Sequence, residues 1–170
     1  VLLGMALSAN AQQFKVFYPT SDVGFGKSSK VSEYMPWVVN GMIFDSDYSP
    51  TGGYIDNGIQ KKNWTNPGTK TGNFATRNGI FGKTKTGKMI LISYEESNTL
   101  PAMQWAFQNG PILVNNSINV CNAQSTSDEY CRSGIGFRKD GSLVVIVSIQ
   151  PCIPWKLGEE LRQKGCVDAI

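Results

Sequence analysis

Three short segments and one aspartate of the 170-residue chain combine polar side chains with glycines in arrangements that suit binding or catalysis. The segments are residues 40–45, 108–111 and 132–136, and the aspartate is Asp168. A glycine-rich turn at the end of a strand brings backbone N–H groups close to a ligand. These four patches are therefore the candidates for a functional site.

Two of the patches offer amide side chains beside glycine. Asn40 and Gly41 are followed by Asp45, and Asn109 and Gly110 are preceded by a glutamine and followed by a proline. A plain turn explains residues 40–45 equally well, and a helix C-cap followed by proline explains residues 108–111. Both explanations stay open from the residues alone.

Arg132 stands at the start of an apolar, glycine-bearing segment that reads as a strand. Its planar guanidinium fork is suited to clamping a phosphate or a carboxylate. A salt bridge at the rim of the fold is the alternative use of Arg132. Asp168 lies on the last apolar segment, where a carboxylate often serves as a cap or a hydrogen-bond anchor.

The absence of histidine limits the kinds of catalysis and metal binding that the chain can support. It excludes Ser-His-Asp and Cys-His nucleophile activation, histidine-ligated zinc and imidazole acid–base catalysis. No Cys-x-x-Cys pair occurs, so we expect neither a metal nor a cofactor. With 16 Lys and Arg against 13 Asp and Glu, the net charge of +3 is too small and too scattered to predict nucleic-acid binding.

The first eleven residues resemble the second half of a secretory signal peptide. An apolar run ends in Ala-x-Ala, which predicts cleavage after Ala11. A buried N-terminal strand is the alternative, and the run is too short to span a bilayer, so no integral membrane segment is predicted. We expect an exported protein that is periplasmic, attached to the cell surface or secreted.

Export would allow disulfides between the four cysteines, Cys121, Cys131, Cys152 and Cys166. Four cysteines allow three pairings. A bond between Cys121 and Cys131 would close a short polar loop, and one between Cys152 and Cys166 would tie a strand end to a helix end. Free buried thiols remain the alternative.

Most of the chain has the pattern of short strands joined by tight turns. Residues 14–18 alternate apolar and polar side chains, which is typical of a strand. Three hairpins are predicted around turns at residues 57–58, 86–87 and 140–141. The apolar run at 143–147 is predicted to be a central strand covered on both faces.

Two segments have the pattern of helices. Residues 100–109 follow the possible caps Asn98 and Thr99 and end at Gly110, and residues 154–164 end at Gly165. Hairpins with a few helices and no βαβ alternation predict an α+β fold. We expect a single domain over residues 12–170, with a mixed or antiparallel sheet built from hairpins and two or three helices packed on it.

Taken in order, the motifs resemble the phosphodiester glycosidase family, and in particular its small bacterial members. The resemblance rests on six segments: residues 39–44, 50–58, 78–81, 107–114, 132–141 and 157–170. The family usually has a second glycine where Met42 stands. It also has an Asp-Gly-Gly segment shortly after the position of Ile170, so we expect the domain to be truncated at its C-terminus.

The resemblance implies hydrolysis of a sugar-1-phosphodiester with cleavage of the sugar–oxygen bond. It implies that Arg132 neutralises the departing phosphate and that Asp45 or Asp168 activates water or stabilises the oxocarbenium-like sugar. The partner would be a carbohydrate or phosphorylated glycan, held by the two Asn-Gly pairs, Asn40–Gly41 and Asn109–Gly110. The alternative is a surface or periplasmic module that binds glycan or phosphoglycan without catalysis.

Overall fold

The computed structural model describes residues 13–19, 49–67, 79–121 and 129–170. Eleven strands, one short 3-10 helix and one α-helix lie in these residues. In chain order they are β1 (Phe14–Phe17), β2 (Tyr54–Asp56), β3 (Ile59–Lys62), β4 (Gly79–Thr84), β5 (Met89–Ser93), the 3-10 helix (Tyr94–Thr99), β6 (Met103–Asn109), β7 (Val114–Asn115), β8 (Ile118–Asn119), β9 (Ser133–Arg138), β10 (Leu143–Ser148), α1 (Pro154–Gln163) and β11 (Cys166–Ala169).

The strands form two antiparallel sheets. Sheet I has the order β1-β10-β9-β11-β7-β8, and sheet II has the order β3-β2-β6-β4-β5. Every pairing between the described strands is antiparallel. The apolar strand β10 lies between β1 and β9, so its predicted interior position in a sheet is confirmed.

The three predicted hairpins are confirmed, because their turns are specified by local chemistry. Asn57 and Gly58 have φ of 49° and 77°, the left-handed pair that a two-residue type I′ turn requires. Gly87 and Gly141 also have positive φ, at 89° and 84°. These turns join β2 to β3, β4 to β5 and β9 to β10.

Apolar side chains divide the protein into layers. A helix-side core packs Leu157 and Leu161 of α1 against sheet I residues such as Val144 and Ile146. An inter-sheet core contains aromatic rings from both sheets together with Ile170 at the chain end. A third, outer cluster lies on the far face of sheet II and is built on Ile80, Met103 and Ala106. The order of layers is helix, sheet I and sheet II.

Helix α1 follows the sequence prediction closely. Pro154 occupies its first turn, where a missing N–H costs nothing, and Gly165 follows its end with φ of 85°. It is the one α-helix among the described residues. Over the described ranges no helix is both long and apolar enough to cross a bilayer.

The other predicted helix, over residues 100–109, is wrong. Residues 103–109 form β6, which lies between β2 and β4 in sheet II. The spacing of Met103, Ala106 and Phe107 fits a helix. Residues 105–108 are buried on both faces of the strand, so this part of the sequence lacks the apolar–polar alternation that marks a half-exposed strand.

The predicted fold class is therefore also wrong in its architecture. Instead of one sheet with two or three helices, the described residues form two packed antiparallel sheets with one α-helix and a six-residue 3-10 helix, Tyr94–Thr99. The physical reason is again β6, because residues 103–109 form the central strand of sheet II and not the predicted helix. The aromatic side chains Trp105 and Phe107 then fill the space between the sheets.

The last strand, β11, is largely buried and lies between β9 and β7. Cys166 and Ala169 face the helix-side core, whereas Val167 and Ile170 face the inter-sheet core. A register shift between Cys166 and Asp168 produces this pattern, because a β-bulge adds one residue to the alternation.

Candidate active site

Arg132 directly precedes β9 and is held on both its backbone and its side chain. Its N–H donates to Ser148 Oγ at 2.6 Å, and its carbonyl accepts the N–H of Ser148 at 2.8 Å. Its Nε donates to the carbonyl oxygen of Cys152 at 2.9 Å, and the guanidinium lies 5.4 Å from the centre of the Tyr130 ring. The half-buried Arg132 is thus anchored through the Nε of its guanidinium as well as through its backbone.

Asn109 and Gly110 lie where β6 ends. Asn109 is opposite Gly79 of β4, and its side-chain Oδ1 is buried. The peptide bond between Gly110 and Pro111 is cis. The predicted helix C-cap is therefore replaced by a strand end, which leaves the amide and the glycine at an end of sheet II.

The ends of several strands meet near Gly79. A Cβ on Gly79 would lie 2.5 Å from Cδ1 of Ile170 and 3.0 Å from Cγ1 of Ile112. Ile170 exchanges two backbone hydrogen bonds with Ile135 of β9, at 2.8 and 2.9 Å. The end of β6, the end of β11 and the first half of β9 are therefore close together.

Arg132 directly precedes β9, the strand that contributes Ile135 to this junction. It precedes Ile135 by three residues of extended chain, about 10 Å. The described contacts of its guanidinium are with Cys152 and Tyr130, next to the helix-side core. Arg132 thus contacts the helix-side layer, whereas Asn109 ends a strand of sheet II.

Asp168 has a structural partner. Its Oδ1 accepts the N–H of Asn116 at 3.0 Å, in the tight turn between β7 and β8. Asn116 and Ser117 have φ of 50° and 65°, and Ser117 donates its N–H to Val167 at 2.7 Å. The hydrogen-bond anchor that the sequence allowed is therefore present, and the catalytic role of Asp168 stays a prediction.

The other predicted site residues lie outside the described residues. These are Asn40, Gly41 and Asp45. The described part of the neighbouring segment begins at Ser49 and includes the turn at residues 50–53. The substrate-binding and catalytic roles of Asn40, Gly41 and Asp45 stay predictions.

Gln108 belongs to the predicted segment 108–111, but it was not among the residues predicted to bind or react with substrate. It is 2% exposed, and its Oε1 accepts the N–H of Gly53 at 3.1 Å and that of Thr65 at 2.8 Å. Its Nε2 donates to the carbonyl oxygen of Thr65 at 2.6 Å. A glutamine that directly follows a buried apolar run and precedes Asn-Gly-Pro is the signal for it, since a buried amide needs partners.

The four cysteines are free thiols, so none of the disulfide pairings proposed from the sequence is present. Cys152 and Cys166 are buried in the helix-side core, and Cys121 packs against it. Burial raises the pKa of the Cys121 and Cys166 thiols to about 11, and it also raises the pKa of Cys152. These three thiols are protonated at neutral pH and are poor nucleophiles.

No cluster of three or more Cys, Asp or Glu side chains with metal-binding geometry occurs in the described ranges. The candidate polar groups among the described residues are instead the Asn109 amide, the backbone groups beside Gly110 and the Arg132 guanidinium. Such groups bind and neutralise negatively charged oxygen atoms.

The family of the chain follows from comparison with known proteins. Residues 35–170 match the family model for phosphodiester glycosidase, and the chain belongs to this family. The resemblance stated from the sequence motifs is therefore confirmed.

Two relatives show how far the similarity extends. The uncharacterized protein YigE of Escherichia coli (strain K12) is 34% identical over 113 residues, which is 66% of this chain and 44% of YigE. The structure of the zebrafish N-acetylglucosamine-1-phosphodiester α-N-acetylglucosaminidase catalytic domain, auto-inhibited by its pro-peptide, is similar with a TM-score of 0.55 and 18% identity. That match covers 77% of this chain and 48% of the zebrafish chain. The chain thus spans about half the length of these relatives, and at this identity the zebrafish structure supports the fold alone.

Proposed function

We propose that the chain is an exported hydrolase domain that cleaves the sugar–oxygen bond of a sugar-1-phosphodiester. The observation that carries the proposal is the family match over residues 35–170, which includes every candidate site residue. The zebrafish relative is named as an N-acetylglucosamine-1-phosphodiester α-N-acetylglucosaminidase, which suggests an N-acetylglucosamine phosphodiester as the first substrate to test.

This chemistry does not require histidine. A phosphate monoester leaves as a stable anion, so protonation of the leaving group by a strong general acid matters less than it does for an alkoxide. A fixed cation that neutralises charge on the departing phosphate contributes more. Arg132 fits this role because hydrogen bonds to Ser148 and Cys152 hold it in place before substrate arrives.

A carboxylate must then activate water or stabilise the oxocarbenium-like sugar. Asp45 and Asp168 are the two candidates within the chain. One oxygen of Asp168 accepts the Asn116 N–H, which commits that oxygen to the turn between β7 and β8. Asn40, Gly41, Asn109 and Gly110 would bind the sugar or phosphate oxygens.

The exported location rests on the signal-like residues 1–11. Export would bring the site to glycans, phosphorylated polymers or glycolipids outside the cytoplasm. Fractionation of cells that produce the tagged chain tests this part, since recovery in the cytoplasm with residues 1–11 still attached would contradict it.

The activity is tested by hydrolysis of an aryl phosphodiester of N-acetylglucosamine-1-phosphate. Two matched controls separate the parts of the substrate: an aryl N-acetylglucosaminide without phosphate, and a bis-aryl phosphodiester without sugar. We expect turnover of the sugar phosphodiester alone. Turnover of the bis-aryl compound would indicate a phosphodiesterase, and saturable binding without turnover would favour the non-catalytic binding module.

A further inference from the structure

Gln108 connects three segments that are far apart in sequence. It lies in β6, and its side chain reaches Gly53 and Thr65, 55 and 43 residues away. Its backbone N–H adds a fourth bond, to the carbonyl oxygen of Gly53 at 2.9 Å. A side chain that is 2% exposed and forms three hydrogen bonds has one orientation available.

The segment that Gln108 holds is the glycine-rich turn at residues 50–53. A Cβ on Gly52 would lie 2.5 Å from the Gln108 carbonyl oxygen, so the turn lies directly against β6. Thr65 Oγ1 donates to Thr51 at 3.2 Å, and Lys62 Nζ donates to Pro50. The turn is therefore hydrogen-bonded to β6 through Gln108, to the end of β3 through Lys62, and to the residues after β3 through Thr65.

We infer that Gln108 is a positioning residue that holds this turn in place beside Asn109 and Gly110. The inference rests on the proposed function, because it assumes that Asn109 and Gly110 bind substrate. Gln108 need not touch the substrate itself, since its side chain is fully engaged by Gly53 and Thr65. A displaced turn would change the shape of the surface next to Asn109 and Gly110, the two proposed substrate-binding residues.

The amide is the group that these partners require. Its oxygen accepts two N–H groups and its nitrogen donates to a carbonyl. Methionine has a similar shape but can do neither well. An ionised carboxylate accepts both N–H groups but repels the Thr65 carbonyl oxygen, whereas a protonated carboxyl can accept and donate as the amide does.

The experiment compares Gln108→Met and Gln108→Glu with the control Gln104→Met, an exposed glutamine on the same strand. Hydrolysis of the aryl sugar phosphodiester is measured from about pH 8 to about pH 5. The kcat/KM of each variant is divided by the kcat/KM of the wild type at the same pH. We expect kcat/KM of Gln108→Met to fall about 10²-fold at every pH. The kcat/KM of Gln108→Glu should be equally low at about pH 8. It should recover at lower pH, where the carboxyl becomes protonated, because burial raises the pKa of a carboxyl.

Two outcomes on activity would overturn the inference. The first is a kcat/KM of Gln108→Met within twofold of Gln104→Met. The second is a Gln108→Glu variant that shows no recovery in acid, because a general loss of folding would not respond to the protonation of one carboxyl.

Amide hydrogen exchange separates this inference from the proposed function. In Gln108→Met the N–H groups of Gly53 and Thr65 should exchange faster, while the N–H of Leu113, which donates to Ala169 at 2.9 Å, stays protected. Unchanged exchange at Gly53 and Thr65 overturns the inference whatever the activity. If the wild type shows no hydrolysis, the proposed function fails, and the exchange result alone decides whether Gln108 holds the turn.

Discussion

At the scale of single residues, Arg132 is the clearest test of the proposed chemistry. Replacement by alanine removes the guanidinium and its bond to the Cys152 carbonyl, so we expect kcat for the sugar phosphodiester to fall about 10²-fold or more. Loss of this hydrogen bond from a charged donor should lower the free energy of unfolding by about 1.5–3 kcal/mol. Steady-state kinetics and urea unfolding on the same preparation measure both effects.

Arg132→Lys is the matched control for charge alone. Lysine keeps the positive charge but lacks the planar fork, so we expect it to restore only a small part of the activity. An Arg132→Ala variant that stays folded and keeps wild-type kcat would show that the departing phosphate is neutralised by another group.

Asp168 supports a prediction about stability. Because its Oδ1 accepts the Asn116 N–H, Asp168→Ala should lower the free energy of unfolding by about 1 kcal/mol. Asp168→Asn keeps an acceptor oxygen, so its free energy of unfolding should fall much less. Urea unfolding measures both variants. Equal losses in both variants would mean that the negative charge, and not the hydrogen bond, stabilises the turn between β7 and β8.

The free thiols give a further prediction at this scale. Cys131 is exposed, and Cys152 and Cys166 are buried. A thiol reagent added without reductant should label Cys131 quickly in the native protein and all four cysteines after unfolding. Fewer than four reactive thiols in the unfolded chain would reveal a disulfide and contradict the structure.

At the scale of elements, the contact between β4 and β6 is the tightest part of sheet II. A Cβ on Gly82 would lie 2.4 Å from the Trp105 carbonyl oxygen and 2.7 Å from the Cα of Ala106. Both are backbone atoms that cannot move aside cheaply. We expect Gly82→Ala to lower the free energy of unfolding by about 1–3 kcal/mol, measured by urea unfolding.

The exposed Lys88→Ala just after the adjacent turn is the control for Gly82→Ala, and its effect should be within about 0.5 kcal/mol of zero. A Gly82→Ala variant as stable as this control would contradict the close pairing of β4 with β6. It would also reopen the helix that the sequence predicted for residues 100–109.

Helix α1 carries an ion pair whose pH dependence has a definite sign. Arg162 donates to both carboxylate oxygens of Glu159, at 3.0 and 2.6 Å, and these hydrogen bonds, with one from Gln163, lower the pKa of Glu159 to about 2. A carboxyl with a lowered pKa stabilises the fold above its unfolded pKa of about 4.3 and loses that contribution as pH falls toward its folded pKa.

A comparison of the Tm of the wild type with that of Glu159→Gln at several pH values tests the predicted pH dependence of this ion pair. The difference in Tm should be small and constant between about pH 7 and pH 5, and it should vanish by about pH 2. The effect is modest because the pair is exposed on the helix surface. A difference that grows as pH falls would contradict the assigned sign.

The elements also show what local sequence can and cannot predict. The turns at Asn57–Gly58, Thr86–Gly87 and Asp140–Gly141 were predictable because their geometry depends on residues within the turn. Helix α1 was predictable because a proline and a glycine mark its two ends. Strand β6 was not, because β2 and β4, which pair with it, come from distant parts of the chain.

At the scale of the whole molecule, the packing of the two sheets brings together the strand ends near Gly79. Ile170 joins β9 to the region of Gly79 and Ile112, although these residues are far apart in sequence. The sequence motifs identified Arg132, Asn109 and Gly110 as candidates and identified the family. The Gln108 contacts with Gly53 and Thr65 could not be foreseen, since they depend on which strands become neighbours in sheet II.

The central claim concerns which bond breaks, and hydrolysis in water labelled with heavy oxygen tests it most directly. Cleavage of the sugar–oxygen bond leaves the bridging oxygen on the phosphate, whereas attack at phosphorus transfers an oxygen from water to the phosphate. Mass spectrometry of the aryl phosphate product from the sugar phosphodiester distinguishes the two. Our account predicts that the product phosphate carries no label, and a phosphate that carries one heavy oxygen per turnover would contradict it.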